Sequence, residues 1–136
     1  MTFLLILWMA FADVAALKAE PDLEKRSELA LAEADQEIDT ARKAYSDGDE
    51  KAGAAALEDL TMAVNLSYDA LQHAHTPPRK SKYYKRAELK VRALMRRLAS
   101  LRDEVGFETR PIVENAIKKI SDVNDLLVAD IMSKKK

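Results

Sequence analysis

The sequence predicts an all-α protein, an antiparallel up-down-up-down four-helix bundle preceded by an apolar, signal-like N-terminal helix. Hydrophobic residues recur every three or four positions along most of the 136 residues, which is the spacing of one helix face. The three glycines and four prolines are few, and the prolines and two of the glycines fall between the periodic stretches. The chain contains no cysteine, which excludes disulfides and cysteine-ligated metal sites.

Residues 1–19 are predicted to be a signal peptide or an apolar N-terminal helix. The stretch 1–12 is apolar apart from Thr2, and small residues downstream allow cleavage after Ala16 or Ala19. No Lys or Arg precedes the apolar stretch, and Asp13 follows it directly, which is atypical of a signal peptide. We expect a secreted, periplasmic or cell-envelope protein. Two alternatives are membrane association through residues 1–17 and an apolar helix packed within the fold.

The bundle is predicted over residues 20–133, with helices at about 21–46, 49–75, 81–105 and 110–132 and a basic tail at 134–136. Pro21 suits the first turn of the first helix, because its backbone angle is already helical. That helix has an apolar seam with steps of three and four residues. The seam consists of Leu23, Ser27, Leu31, Ala34, Ile38, Ala41 and Tyr45.

The stretch Ser46–Asp49 predicts a short connection between antiparallel helices, since Gly48 suits a left-handed helix end. The pattern Tyr45-x-x-Gly48-Asp49-x-x-Ala52 resembles the inter-helix turn of tetratricopeptide repeats over about residues 41–64. No second copy follows at that family's period of about 34 residues, so we do not predict a solenoid. No functional residue is transferred from the resemblance.

The later helices have clearer seams. The second is expected to bury Leu57, Leu60, Val64, Ser67, Leu71 and Ala74. Pro77 and Pro78 interrupt the helical pattern between the second and third helices, and Ser81 is expected to cap the third helix. The third carries Tyr84, Ala87, Val91, Leu94, Leu98, Leu101 and Val105, with strictly alternating steps. The fourth follows Gly106 and Pro111 and carries Val113, Ile117, Ile120, Asn124, Leu127 and Ile131.

Charge is distributed unevenly along the bundle. Residues 79–102 hold ten Lys or Arg residues against the single acid Glu88, whereas residues 20–59 hold thirteen acids against five bases. One interpretation is that the basic third helix packs beside the acidic first helix and forms interhelical ion pairs. The other is that the third helix faces solvent and binds a polyanion, either anionic lipid or nucleic acid.

The second interpretation has named candidate residues. They are Arg79, Lys80, Lys82, Lys85, Arg86, Arg92, Arg96 and Arg97. A net charge of -1 and a pI near 6.1 argue against a dedicated nucleic-acid binder, which would be basic overall.

The sequence shows no catalytic motif, and we predict no enzyme activity, no metal site and no cofactor. His73 and His75 are two residues apart and would point to different sides of a helix, so frayed helix-end residues are the simpler interpretation. A haem site pairing either histidine with Met62, Met95 or Met132 is a remote alternative.

The predicted function is therefore that of an exported, non-catalytic helical bundle, a structural or protein-interaction module of the cell envelope. The alternative is polyanion binding through the third helix. We expect the partner to be an unknown protein or a second copy of this chain, in preference to anionic lipid or nucleic acid.

Overall fold

The computed structural model describes residues 16–133, and four long helices make up most of them. They are α1 (Leu23–Ser46), α2 (Glu50–His73), α3 (Lys82–Glu104) and α4 (Arg110–Met132), and residues 16–19 form a short helical segment before α1. Residues 16–133 contain no strand, so the all-helical prediction is confirmed there. Most of the predicted head, residues 1–15, and the tail at 134–136 lie outside the described residues.

The helix boundaries follow from the capping residues. The side chains of Asp22, Asp49 and Ser81 accept hydrogen bonds from first-turn N–H groups of α1, α2 and α3, and these groups have no partner inside the helix. Pro111 lies in the first turn of α4. Gly48 ends the α1–α2 turn with φ of 81°, a left-handed conformation that glycine adopts without steric cost.

The predicted seam of α3 is the centre of the core. All seven of its residues are buried, and the larger side chains of the other helices pack against them. Ile38 of α1, Leu60 and Val64 of α2, and Ile120 of α4 are at most 1% exposed. Asn124 of α4 is only half-buried, and its side-chain oxygen has no hydrogen-bond partner. The α4 seam therefore runs through Val123 rather than Asn124.

Small residues join α1 tightly to α2. On α1 the buried positions Ser27, Ala30, Ala34, Glu37, Ala41 and Ala44 step by three and four residues. On α2 the buried positions Gly53, Ala56, Leu60, Ala63, Ser67 and Ala70 do the same. These two stripes explain why α1 and α2 form the most extensive interface of the bundle. The hydroxyls of Ser27 and Ser67 lie 2.6 Å apart and hydrogen-bond across it.

The arrangement of neighbours differs from a bundle in which every neighbour is antiparallel. α1 packs against α2 and α3, and α4 packs against α3 and α2, whereas α1 and α4 share no comparable interface. Contacts between Glu28 and Arg86, and between Arg42 and Glu104, join the corresponding ends of α1 and α3, so these neighbours are parallel. The helix directions still alternate along the chain, as the up-down-up-down prediction requires, but the second neighbour of α1 is α3 rather than α4. The loop at 74–81 could span about 25 Å if extended, enough to cross the bundle diagonally.

Candidate polyanion-binding surface

The cations of α3 divide between two faces. Arg86, Lys90 and Arg97 point towards α1 and form ion pairs with its acids. The Arg86 guanidinium donates to Glu28 at 3.1 Å, and the Lys90 ammonium donates to Asp35 at 2.5 Å. Arg97 donates to the carboxylates of Asp35 and Asp39 and also to the main-chain oxygen of Asp35, at 3.1 Å. The expected pairing of basic α3 with acidic α1 is therefore present along this interface.

Asp35 is the centre of this interface. Burial alone would raise the pKa of its carboxyl group, but the hydrogen bonds and charges of Lys90 and Arg97 outweigh burial, and the pKa lies below its ordinary value. The same contacts raise the pKa of the Arg97 guanidinium, although burial opposes them. Both groups are thus held in their charged forms, which is the state the interface requires.

A groove of about 500 Å³ runs between α1 and α3 at this interface, and its walls include Leu31 and Tyr83. Its charged lining residues, Glu28, Asp35, Asp39, Arg86 and Lys90, all take part in the ion pairs between α1 and α3. Their donors and acceptors are therefore already engaged with one another. A ligand entering the groove would have to displace these bonds.

The side of α3 opposite its buried seam carries a second line of residues, which we call the outer stripe: Lys82, Lys85, Leu89, Arg92 and Arg96. Their steps of three and four residues place them in one row along the helix, and all five are exposed. The row is about 21 Å long at 1.5 Å per residue. Arg92 donates to Glu88 on the same helix, yet its side chain remains 53% exposed.

The loop before α3 carries two further cations. Arg79 and Lys80 are exposed there, and Lys80 closes a turn through its N–H bond to the main-chain oxygen of Pro77. The ammonium group of Lys82 lies 5.3 Å from the ring centroid of half-buried Tyr83. That distance is within the range of a cation–π interaction, which leaves the charge accessible to solvent.

The structure therefore separates the eight residues that the sequence proposed. Arg86 and Arg97 belong to the α1 interface, and Arg92 is paired within its own helix. The remaining five have no ion-pair partner among residues 16–133. These five are Arg79, Lys80, Lys82, Lys85 and Arg96.

Leu89 is a member of the surface that the sequence analysis did not propose. Its side chain lies between Lys85 and Arg92 on the outer stripe and is 59% exposed. The sequence analysis looked for charged residues, so it did not select an apolar residue that lies among them. Its position, three residues before Arg92 and four after Lys85, would have placed it in the same row.

The histidines lie apart from this surface. His73 is exposed at the end of α2, where Nδ1 lies 2.8 Å from the main-chain oxygen of Asp69. Within residues 16–133, no group of three or more His, Asp or Glu residues is placed to hold a metal ion. No helix in this part of the chain is long and apolar enough to cross a bilayer.

No protein-family model matches the sequence, and neither a curated protein nor a solved structure matches it.

Proposed function

We propose that this protein is a non-catalytic interaction module of the helical-bundle type, and that its partner presents a phosphate-rich, polyanionic surface to the outer stripe. The single observation that carries the proposal is the separation of charges on α3. The cations facing α1 are paired with acids, while five others on the outer stripe and the preceding loop have no acidic partner within the described residues 16–133. An internal structural role accounts for the first group only.

The size of the effect follows from the number of free cations. A Lys or Arg near an anionic surface contributes about 1 kcal/mol. Five such residues give about 5 kcal/mol, which corresponds to an association constant of roughly 10³–10⁴ M⁻¹. Binding of this kind is weak for a single copy and falls with ionic strength, because the Debye length is only about 10 Å at 0.1 M salt.

The test compares two double charge reversals in the full chain. The variant K85E/R96E changes two residues of the outer stripe, and its matched control K118E/K119E changes two exposed lysines of α4. Both alter the net charge equally. Arg97 is left intact because its ion pairs hold α3 to α1. Circular dichroism melts of all three chains verify that folding is retained.

Binding is measured with phosphatidylglycerol vesicles and with duplex DNA, each at low and physiological salt. We expect the native chain and the α4 control to bind at least one of these polyanions in low salt. Losing two attractions costs about 2 kcal/mol and the two new carboxylates add repulsion, so K85E/R96E should bind at least about 30-fold more weakly. Equal binding by both variants, or no binding of either polyanion by the native chain, would refute the proposal.

We also propose that the chain is exported and acts in the cell envelope or outside the cell. The apolar stretch 1–12 and the small residues after it support this proposal. Leu17 is buried, which supports cleavage after Ala16 over cleavage after Ala19. Intact mass after fractionation of the host should give a chain that begins at Leu17 outside the cytoplasm. A cytoplasmic chain that retains Met1 would contradict export.

A further inference from the structure

We infer that the polyanionic surface is an anionic lipid bilayer, on which α3 lies with Leu89 inserted between the headgroups. This inference rests on the function proposed above and specifies its partner. The observation behind it is the juxtaposition of an exposed leucine with a row of exposed cations on one helix face, of which Lys82, Lys85 and Arg96 have no ion-pair partner among residues 16–133.

Leu89 distinguishes the two kinds of polyanion. Its side chain is 59% exposed and has cations before and after it in the same row. The phosphates of a duplex offer no apolar surface to an isobutyl group. A bilayer offers both phosphate and the acyl boundary below it, which is the environment that an interfacial amphipathic helix occupies. Burying this exposed part of the leucine is favourable only at the bilayer.

The shape of the surface fits a plane. The outer stripe is a single row on the exposed side of one helix, about 21 Å long. Lys and Arg side chains can lay their methylene stems beside Leu89 while their charged ends reach the headgroups. A duplex is read most often by a helix that enters its groove, with cations on more than one side. On α3 the cations beside the stripe, Arg86 and Arg97, are already bound to α1.

A site-specific probe tests the insertion of Leu89. Because the chain has no cysteine, the substitution Leu89→Cys introduces a single thiol that a polarity-sensitive fluorophore can label. The matched control is Met62→Cys, at a similarly exposed apolar residue of α2. Both labelled proteins are titrated with vesicles of phosphatidylglycerol mixed into phosphatidylcholine, with pure phosphatidylcholine vesicles, and with duplex DNA.

We expect the label at position 89 to shift to shorter wavelength with anionic vesicles only, and the label at position 62 to remain unchanged. In sedimentation, Leu89→Gln should reduce vesicle binding about fivefold while Met62→Gln leaves it unchanged, since about 1 kcal/mol of apolar burial is lost.

The remaining outcomes separate this inference from the function on which it rests. Binding to duplex DNA through the outer stripe, without binding to vesicles, would refute the inference of a bilayer partner but leave the proposal of polyanion binding intact. Vesicle binding that leaves the label at position 89 unchanged would overturn the insertion of Leu89. Failure to bind either polyanion would overturn both proposals.

Discussion

Adjacent arginines of α3 are expected to have opposite roles, and this contrast tests the division of its charges. Arg97 makes hydrogen bonds to two carboxylates and one main-chain oxygen of α1. Arg96 is exposed on the outer stripe and has no ion pair within residues 16–133. We therefore predict that Arg97→Gln destabilises the bundle, and that Arg96→Gln weakens polyanion binding without changing stability.

The magnitude follows from the contacts. Hydrogen bonds to charged groups contribute about 1.5–3 kcal/mol each when they are buried, and exposure reduces this value. The Arg97 side chain is 33% exposed, and Asp35 keeps its bond to Lys90 after the substitution. We expect Arg97→Gln to lower the free energy of unfolding by about 2 kcal/mol and the Tm by roughly 8 °C. Arg96→Gln should stay within about 0.5 kcal/mol of the native chain.

The assay is urea unfolding followed by circular dichroism at 222 nm, which reports directly on a helical protein. Both variants remove one guanidinium, so the difference between them isolates the contacts with α1. Equal loss of stability in the two variants would refute the assignment of Arg97 to the interface. So would an Arg97→Gln variant as stable as the native chain.

Three further predictions concern stability and are measured by urea unfolding. Asp35→Asn should destabilise the bundle at pH 7, and this loss of stability should shrink as the pH falls below about 4, the ordinary pKa of an aspartate. The folded pKa of Asp35 is lowered, so the contribution of its charge is complete above the unfolded pKa and is lost as the pH falls through the folded pKa. A deficit that stays constant with pH would contradict this. Gly53→Ala would place a Cβ atom 2.5 Å from the Tyr45 ring, so overpacking of about 1–3 kcal/mol should exceed the gain of about 1 kcal/mol in helix propensity. Adding Tyr45→Leu should reverse the sign of the Gly53→Ala effect, and an unchanged sign would show that the ring is not the obstacle. Ser27→Ala should cost about 1–3 kcal/mol by leaving the Ser67 hydroxyl buried without a partner, and adding Ser67→Ala should recover part of that loss. A double variant less stable than the single one would contradict this reading.

The sequence predicted the elements better than their arrangement. Periodicity identified the α3 seam completely, because the seven residues from Tyr84 to Val105 face a core of large apolar side chains. Periodicity missed Ala30, Glu37 and Ala44 on α1, because alanine and glutamate give little hydrophobic signal. These residues are buried because α2 approaches closely, which small side chains permit.

The neighbours of each helix were harder to predict. Every helix in a bundle has a broad apolar face, and the spacing of its hydrophobic residues does not show which other helix packs against that face. The charge asymmetry indicated that α1 lies beside α3. These two helices run in the same direction, so this pairing cannot occur in a bundle whose neighbouring helices are all antiparallel. The electrostatic observation was the better guide, as Glu28 and Asp35 show by their contacts with α3.

Charge counting proposed eight cations but could not tell which of them were free. That distinction depends on the register of α1 against α3, which places Asp35 level with Lys90 and Arg97. The spacing of the cations along α3 divides them into two groups, but it identifies the group that faces α1 only if the position and direction of α1 are known. The outer stripe is therefore a result of the tertiary arrangement.

The most direct test of the outer stripe is lysine footprinting of the unmodified protein. The chain is acetylated at limiting reagent with and without phosphatidylglycerol vesicles, and each site is quantified by mass spectrometry. We predict that the vesicles protect Lys82 and Lys85 from acetylation, while the exposed Lys118 and Lys119 of α4 react as before. Protection spread evenly over all four lysines, or confined to α4, would contradict it.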